Sequence, residues 1–394
     1  MLQCSPYPTD FTTVLERVHA IGRGCVAPCA AEVDREARFP HEALEALKAE
    51  KLLGAYVPLE YGGLGMNVKE LAQICEALGQ YCASTALVYA MHQIQVGCLV
   101  HHGLGAAYFR DYVAELAAEQ YLLASATSEM GVGGDLRSSI CAVEVSGDRF
   151  ALVKQAPVIS YGAAADAILV TCRRAPDAVR NDQVLVLARR EDYRLELIAG
   201  WDSLGFRGTC SSGFVLRCEG RADHIVPVPF ALIHSKTMHP LAHTLWASVW
   251  LGLATDALNR ARRAVRAEAR KSPGTIPPSA GRLAEADIVL FSMRSALQST
   301  LAEYQGLLAQ TDSQALDGAF VIRINNLKIA SAQQLIDIVG RAMMICGIAG
   351  YKNDSELSLA RHLRDAYGAS VMVNNDRILG HNATMHIAQK AGLM

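Results

Sequence analysis

The chain has 394 residues, 51% of them hydrophobic and 19% charged, with a formal net charge of −2. That length and apolar share predict an ordered globular protein of two or three subdomains with ample core. No basic stripe, membrane-length apolar run or secretory-signal layout is present in the sequence, so nucleic acid and membranes are excluded as expected partners.

Residues 10–119 read as helices. Apolar residues recur at three- and four-residue steps through DFTTVLERVHAIGRGCVAPCAAEVDREARF and HEALEALKAEKLLGAYV, the period of a helix face. Three glycines within Tyr61–Gly65 break the pattern. VKELAQICEALGQYCASTALVYAMHQIQVGCLVHHG then runs apolar on all sides, as a helix buried inside a bundle does. The eleven cysteines are scattered singly. Cys25 and Cys29 lie one helical turn apart but no second pair completes a zinc pattern. Reduced core thiols in a cytoplasmic protein are the expectation.

Residues 120–230 change character. Short runs of β-type residues (ICAVEVS, RFALVK, AILVTCRR, QVLVLARR, SGFVLRCEG, HIVPV) are separated by Gly, Asp, Pro and Asn, which predicts a small barrel or sandwich. From about residue 240 the helical period returns in three long stretches, the first two parted by KSPGTIPPSAG. They carry no sustained heptad, so a helical bundle is expected rather than a coiled coil. The expected fold is α+β and multi-domain: an N-terminal helical domain over 1–119, a central β-domain over 120–230, and a C-terminal four-helix bundle over 231–394.

Several motifs in this order resemble those of the acyl-CoA dehydrogenase family, over roughly residues 10–390. Val57–Gly65 (VPLEYGGLG) is similar to the family's VPxEYGGxG loop, and Ala126–Asp135 (ATSEMGVGGD) to its flavin loop. Leu204–Ser211 resembles LGxRGTxS, Arg270–Gly274 the RxxFG turn, Cys346–Tyr351 the GGxGY turn, and Arg364–Ala366 the RDA that follows. The resemblance implies a flavoenzyme, with FAD as cofactor, that dehydrogenates an acyl thioester carried by CoA or an acyl-carrier protein. It implies a homodimer or homotetramer, with an electron-transfer flavoprotein as acceptor. Thr127, Ser128, Gly133, Gly134, Val158 and Ser160 would then surround the flavin. Arg270 and the Gly347 turn would reach the cofactor of a neighbouring subunit. A turn of small residues suits this role because backbone N–H groups approach the ring without steric conflict.

The sequence also departs from the family pattern. Gly134 stands for a Ser, Val158 for the Trp that packs on the flavin, Pro273 for the Phe of the RxxFG turn, and Met344 for a Gln. Ile348 stands for the second Gly of its turn. Dehydrogenation needs a base within hydrogen-bond reach of the α-proton. The two positions that supply a Glu in the family are Val373 and Ala242 here. Asp376 and His243 are the candidate replacements. Asp376 alternatively caps the helix that begins near Arg377, and His243 is alternatively a buried polar tip beside Trp246. His92 is read as a satisfied core histidine or as a wall of the acyl pocket. Loss of both Glu positions also suits a monooxygenase of the same fold, which uses reduced flavin and oxygen. A third reading is a flavin-free acyl-binding or scaffold protein.

Overall fold

In the computed structural model, residues 10–133, 135–310 and 316–388 are described. Six helices come first: α1 (Phe11–Ile21), α2 (Ala27–Glu36), α3 (His41–Ala49), α4 (Val68–Gly79), α5 (Ala83–His102) and α6 (Ala107–Glu119). The first predicted helix is one rod interrupted by a π turn at Gly22–Val26. Asn67 opens α4 with a capping box, its side chain accepting from the Glu70 N–H while the Glu70 carboxylate accepts from the Asn67 N–H. The all-round apolar α5 is buried along almost its whole length.

Seven strands follow: β1 (Leu123–Ala126), β2 (Glu144–Ser146), β3 (Arg149–Ala156), β4 (Ala167–Arg173), β5 (Gln183–Arg189), β6 (Tyr193–Ala199) and β7 (Gly213–Arg221). They form two sheets, ordered β1-β4-β5 and β2-β3-β7-β6. Among these strands β1 and β4 pair in parallel, in the register Leu123 with Ala167, and the other pairs are antiparallel. Burial alternates along β3, placing Phe150, Leu152, Lys154 and Ala156 inside; this is the period of a half-buried strand. HIVPV does not form a strand: Ile225 makes a single bridge to Val186, after a short 3-10 turn at Ala222–His224. Pro227 and Pro229 have no N–H to extend a ladder.

The C-terminal part holds α7 (Phe230–Ile233), a π turn at His234–Met238, α8 (His239–Lys271), α9 (Pro278–Leu308), α10 (Gly318–Cys346), α11 (Ile348–Tyr351), α12 (Ala360–Val371) and α13 (Asn375–Ala388). Helix α4 crosses α8 at Gly79 and Gly252. A Cβ on Gly79 would lie 2.4 Å from the Val249 carbonyl oxygen, and one on Gly252 would lie 2.1 Å from that of Glu76. Only glycine permits this approach, and it welds the N-terminal helices to the C-terminal bundle. Among the described residues no helix is long and apolar enough to cross a membrane.

Two of the motifs read in the sequence meet in space. Asp365 of the Arg364–Ala366 segment accepts the Phe206 N–H at 2.6 Å. A Cβ on Gly205 would strike the Arg364 carbonyl at 2.4 Å. Arg207 donates to the Asp34 carbonyl at 2.8 Å, and Arg364 pairs with the Asp34 carboxylate. The β-domain is thereby fixed to α2 and α12 at one point.

Candidate active site

A cavity of about 370 Å³ lies where the end of β1, the segment after β3, helix α5, the start of α8 and the α12–α13 turn converge. A second cavity of about 600 Å³ shares with it Leu136, His234, His239, His243, Val373 and Arg377. Both volumes suit small-molecule sites.

Four of the residues read as cofactor contacts line the first cavity: Thr127 and Ser128 beyond β1, and Val158 and Ser160 beyond β3. The Ser160 hydroxyl is 2.8 Å from that of Ser211, which is 2.8 Å from that of Thr209. Gly133 has φ of +60° and its carbonyl accepts from Arg377, but it does not line the cavity. Gly134 falls outside the described residues.

The loop after Ser128 is anchored from below by Glu129, which is buried. Its carboxylate accepts from the Ser139 hydroxyl (2.6 Å), the Cys141 N–H (2.5 Å) and the Ile140 N–H (3.2 Å), and lies 3.5 Å from Lys154 Nζ. Lys154 also donates to the Thr171 carbonyl at 2.6 Å. Burial pushes the Lys154 pKa down, and Glu129 pulls it back up.

Arg270 and the Gly347 turn lie outside this chain's own cavity. Ala242 lines the cavity and Arg270 follows it on α8, about 42 Å further along at 1.5 Å per residue. Arg270 is exposed there. Gly347 has φ of +57° and terminates α10.

Asp376, one of the two candidate bases, lies away from both cavities. It is exposed on the first turn of α13. It is not the helix cap either. Asn374 is: its side-chain oxygen accepts the Asp376 N–H at 3.0 Å. Val373 does face the cavity and has φ of +54°, a strained conformation for a β-branched residue.

His243 is where the sequence places it, buried on α8 against the cavity with its ring 6.0 Å from that of Trp246. Its Nδ1–H donates to the Ile324 carbonyl at 3.3 Å. Burial, followed by the neighbouring His239, pushes its pKa well below 6.5. His92 is a satisfied core histidine. Its Nε2–H donates to the Leu53 carbonyl at 2.8 Å, and its Nδ1 accepts the Leu123 N–H at 3.0 Å.

Sequence reasoning missed His234 and His239. On an unbroken α-helix, residues five apart point about 140° away from each other. Here a π turn intervenes, with the His239 N–H donating to the His234 carbonyl. The two rings stack at 5.6 Å between centroids, and His239 meets His243 edge-on at 4.3 Å. Burial depresses both, His234 to about 3 and His239 to about 4, so both are neutral at pH 7. Both remain partly accessible because they touch the cavity. Among the described residues no carboxylate lines the first cavity.

A flavin ring fits this lining. Gln95 Oε1 and Trp246 Nε1 are buried on the cavity wall with no hydrogen-bond partner in the protein. An acceptor and a donor left unpaired in this way are costly unless a ligand completes them. The hydroxyls of Thr127, Ser128 and Ser160 add further polar contacts beside small side chains.

Residues 9–120 match the sequence family described as acyl-CoA dehydrogenase, N-terminal domain. The chain is 24% identical over 362 residues to a probable acyl-CoA dehydrogenase of Mycobacterium leprae, covering 91% of this chain and 90% of that one. It is 23% identical over 350 residues to an amino sugar nitrososynthase of Streptomyces peucetius, covering 86% and 84%. Among solved structures, butyryl-CoA dehydrogenase from Megasphaera elsdenii superposes with a TM-score of 0.81 at 17% identity, over 97% of this chain and 100% of that one. FMN-bound TdsC, a dibenzothiophene monooxygenase from a Paenibacillus species, superposes with a TM-score of 0.83 at 16% identity, over 96% and 98%. Helical domain, paired small sheets and helical bundle together are the acyl-CoA dehydrogenase fold. Residues 9–120 thus carry the acyl-CoA dehydrogenase N-terminal domain and the chain has the acyl-CoA dehydrogenase fold, with Val373 and Ala242 at the positions where the resemblance expects a Glu.

Proposed function

We propose that this protein is a flavin-dependent oxidoreductase that uses reduced flavin and dioxygen to oxygenate a small, largely apolar substrate. The observation that carries the reading is the cavity wall, with three neutral imidazoles and no carboxylate among the described residues. Dehydrogenation of an acyl thioester starts with removal of an α-proton by a base in reach. Val373 and Ala242 cannot accept a proton, and Asp376 points elsewhere. His243 is in place, but an imidazole whose pKa lies well below 6.5 is a weak base for that step. Oxygenation does not begin with such a step.

Thr127, Ser128, Ser160 and Gln95 would hold the flavin, as FMN or FAD. When bound, the flavin supplies hydride acceptance in a dehydrogenation or oxygen activation in an oxygenation. Met91, Ile94, Leu136 and Trp246 give the substrate an apolar wall. The similarity to a nitrososynthase and to a monooxygenase of the same fold supports this reading.

Dehydrogenation of an acyl-CoA or acyl-carrier-protein thioester is the second reading. It is favoured by similarity to acyl-CoA dehydrogenases along most of the chain, and it requires His243 as base and an electron-transfer flavoprotein or equivalent acceptor. We further infer a homodimer or homotetramer. Ile288 and Phe291 on α9, and Met344, Ile348 and Tyr351 around the α10–α11 turn, are exposed, and Arg270 is exposed and lies too far along α8 to line this chain's own cavity.

The deciding experiment gives the protein reduced FMN or FAD and follows oxygen uptake with an electrode. A parallel anaerobic sample of flavin-loaded protein receives butyryl-CoA. Oxygen uptake coupled to substrate oxygenation, with no bleaching by the thioester, is the expected result. Bleaching together with formation of the enoyl thioester would replace the first reading by the second.

A further inference from the structure

Two of the three cavity histidines, His239 and His243, are held in defined tautomers, and this bears on what the cavity can bind. The Ile324 carbonyl can only accept, so His243 carries its proton on Nδ1. His239 Nε2 lies 2.9 Å from the side-chain oxygen of Asn325 and donates to it. That oxygen is oriented by a relay: Asn325 donates to Asn382 at 2.7 Å, and Asn382 donates to Asn326 at 3.0 Å. Asn325 and Asn382 are buried, so the relay ties α10 to α13 away from water. The remaining nitrogens, Nδ1 of His239 and Nε2 of His243, make no hydrogen bond among the described residues and are not sealed by them. Both rings line both cavities.

The cationic side chains nearby are engaged with other groups. Arg377 donates to the Gly133 carbonyl, Arg137 pairs with Asp135 at 3.1 Å, and Lys328 donates to Asn375 at 2.6 Å and to the Met372 carbonyl. What these two imidazoles offer a ligand is therefore a pair of lone pairs.

We propose that the cavity recognises its substrate by O–H or N–H donors, accepted by Nδ1 of His239 or Nε2 of His243, on an otherwise apolar body. This deepens the oxygenation reading, on which it rests, by naming the class of substrate as a hydroxyl- or amine-bearing small molecule. A thioester carbonyl offers only acceptors. It would find no hydrogen bond from these two imidazole nitrogens, whereas enolate chemistry needs donors aimed at the developing charge. Asn325 acts as a positioning residue by holding the His239 tautomer.

The test uses flavin-loaded protein labelled with ¹⁵N-histidine, and reads tautomers from long-range ¹H–¹⁵N spectra without any turnover. His239 is expected as the Nε2–H form and His243 as the Nδ1–H form. Benzyl alcohol and benzyl methyl ether are then titrated as a pair differing in the single donor. The alcohol is expected to shift at least one of the two free nitrogens and to bind at least about tenfold tighter than the ether, since a site built to hydrogen-bond a hydroxyl rejects the analogue lacking it. His239→Phe is expected to reduce that preference to within about twofold. Asn325→Leu keeps the ring, and is expected to move the His239 proton toward Nδ1 and to weaken the preference. A protonated His239 Nδ1 in the unmodified protein, equal binding of the two probes, or binding of neither up to its solubility limit overturns the proposal. Turnover of a thioester would instead remove the oxygenation reading while leaving the tautomer spectra as expected, so the two failures are distinguishable.

Discussion

Lowering the pH from 7 to 5.5 is expected to destabilise the fold by at least about 3 kcal/mol. Burial holds His92 and His239 at about 4 and His234 at about 3, against 6.5 in an exposed chain. A histidine depressed in the folded state takes its proton first in the unfolded chain. Its stabilising contribution is thus complete above pH 6.5 and is lost as the pH falls toward 4. Between pH 7 and 5.5 these three histidines together lose about 4 kcal/mol. Asp365 works in the opposite direction. Burial raises its carboxyl to about 6, so the folded protein takes that proton before the unfolded chain does. This returns about 1 kcal/mol over the same range. His243 is shifted in the same direction as the other histidines and adds to the loss. The net change is a substantial part of the roughly 5–15 kcal/mol that stabilises a typical domain. Urea unfolding at the two pH values, with potentiometric measurement of protons taken up on unfolding, reads it directly. Equal stability at both values, or unfolding without net proton uptake near pH 5.5, would show that these imidazoles are charged in the folded protein and would refute the reasoning.

Asp376→Asn is expected to leave turnover within about twofold, because the carboxylate lies outside both cavities; a fall of a hundredfold or more would make it the base after all. Lys154→Met leaves Glu129 buried without its cation, and should cost roughly 3–5 kcal/mol in denaturant unfolding. An unchanged midpoint would mean that the Ser139, Ile140 and Cys141 donors suffice for that carboxylate. His92→Leu orphans the Leu123 N–H at the start of β1, while Gln93 still donates to the Leu53 carbonyl. A stability loss of about 1–3 kcal/mol with KM unaltered is expected, and a changed KM would instead return His92 to the pocket wall.

The order of helical domain, β-domain and helical bundle was legible in the sequence because it rests on local signals: the 3.6-residue apolar period, two-residue alternation, and Gly and Pro breakers. These signals place β3, β4, β5 and β7, and the break between α8 and α9, nearly to the residue. Thr127, Ser128, Val158 and Ser160 came from the resemblance to the family's flavin loop and the strand that follows it, and each lines the first cavity just beyond the end of a strand. The chemistry of the cavity was not legible in this way. A π turn shifts the helical phase between His234 and His239, so their spacing gives no sign that they share a face. The His239 tautomer depends on Asn325 and Asn382, which are 57 positions apart and meet only when α13 packs on α10. Asp376 looks well placed by sequence distance, yet the Val373–Asn374 turn directs it to solvent. Local periodicity reports each element's own faces. Which side chains converge, and which nitrogen of a ring is left free, is decided only when elements remote in sequence are packed against one another.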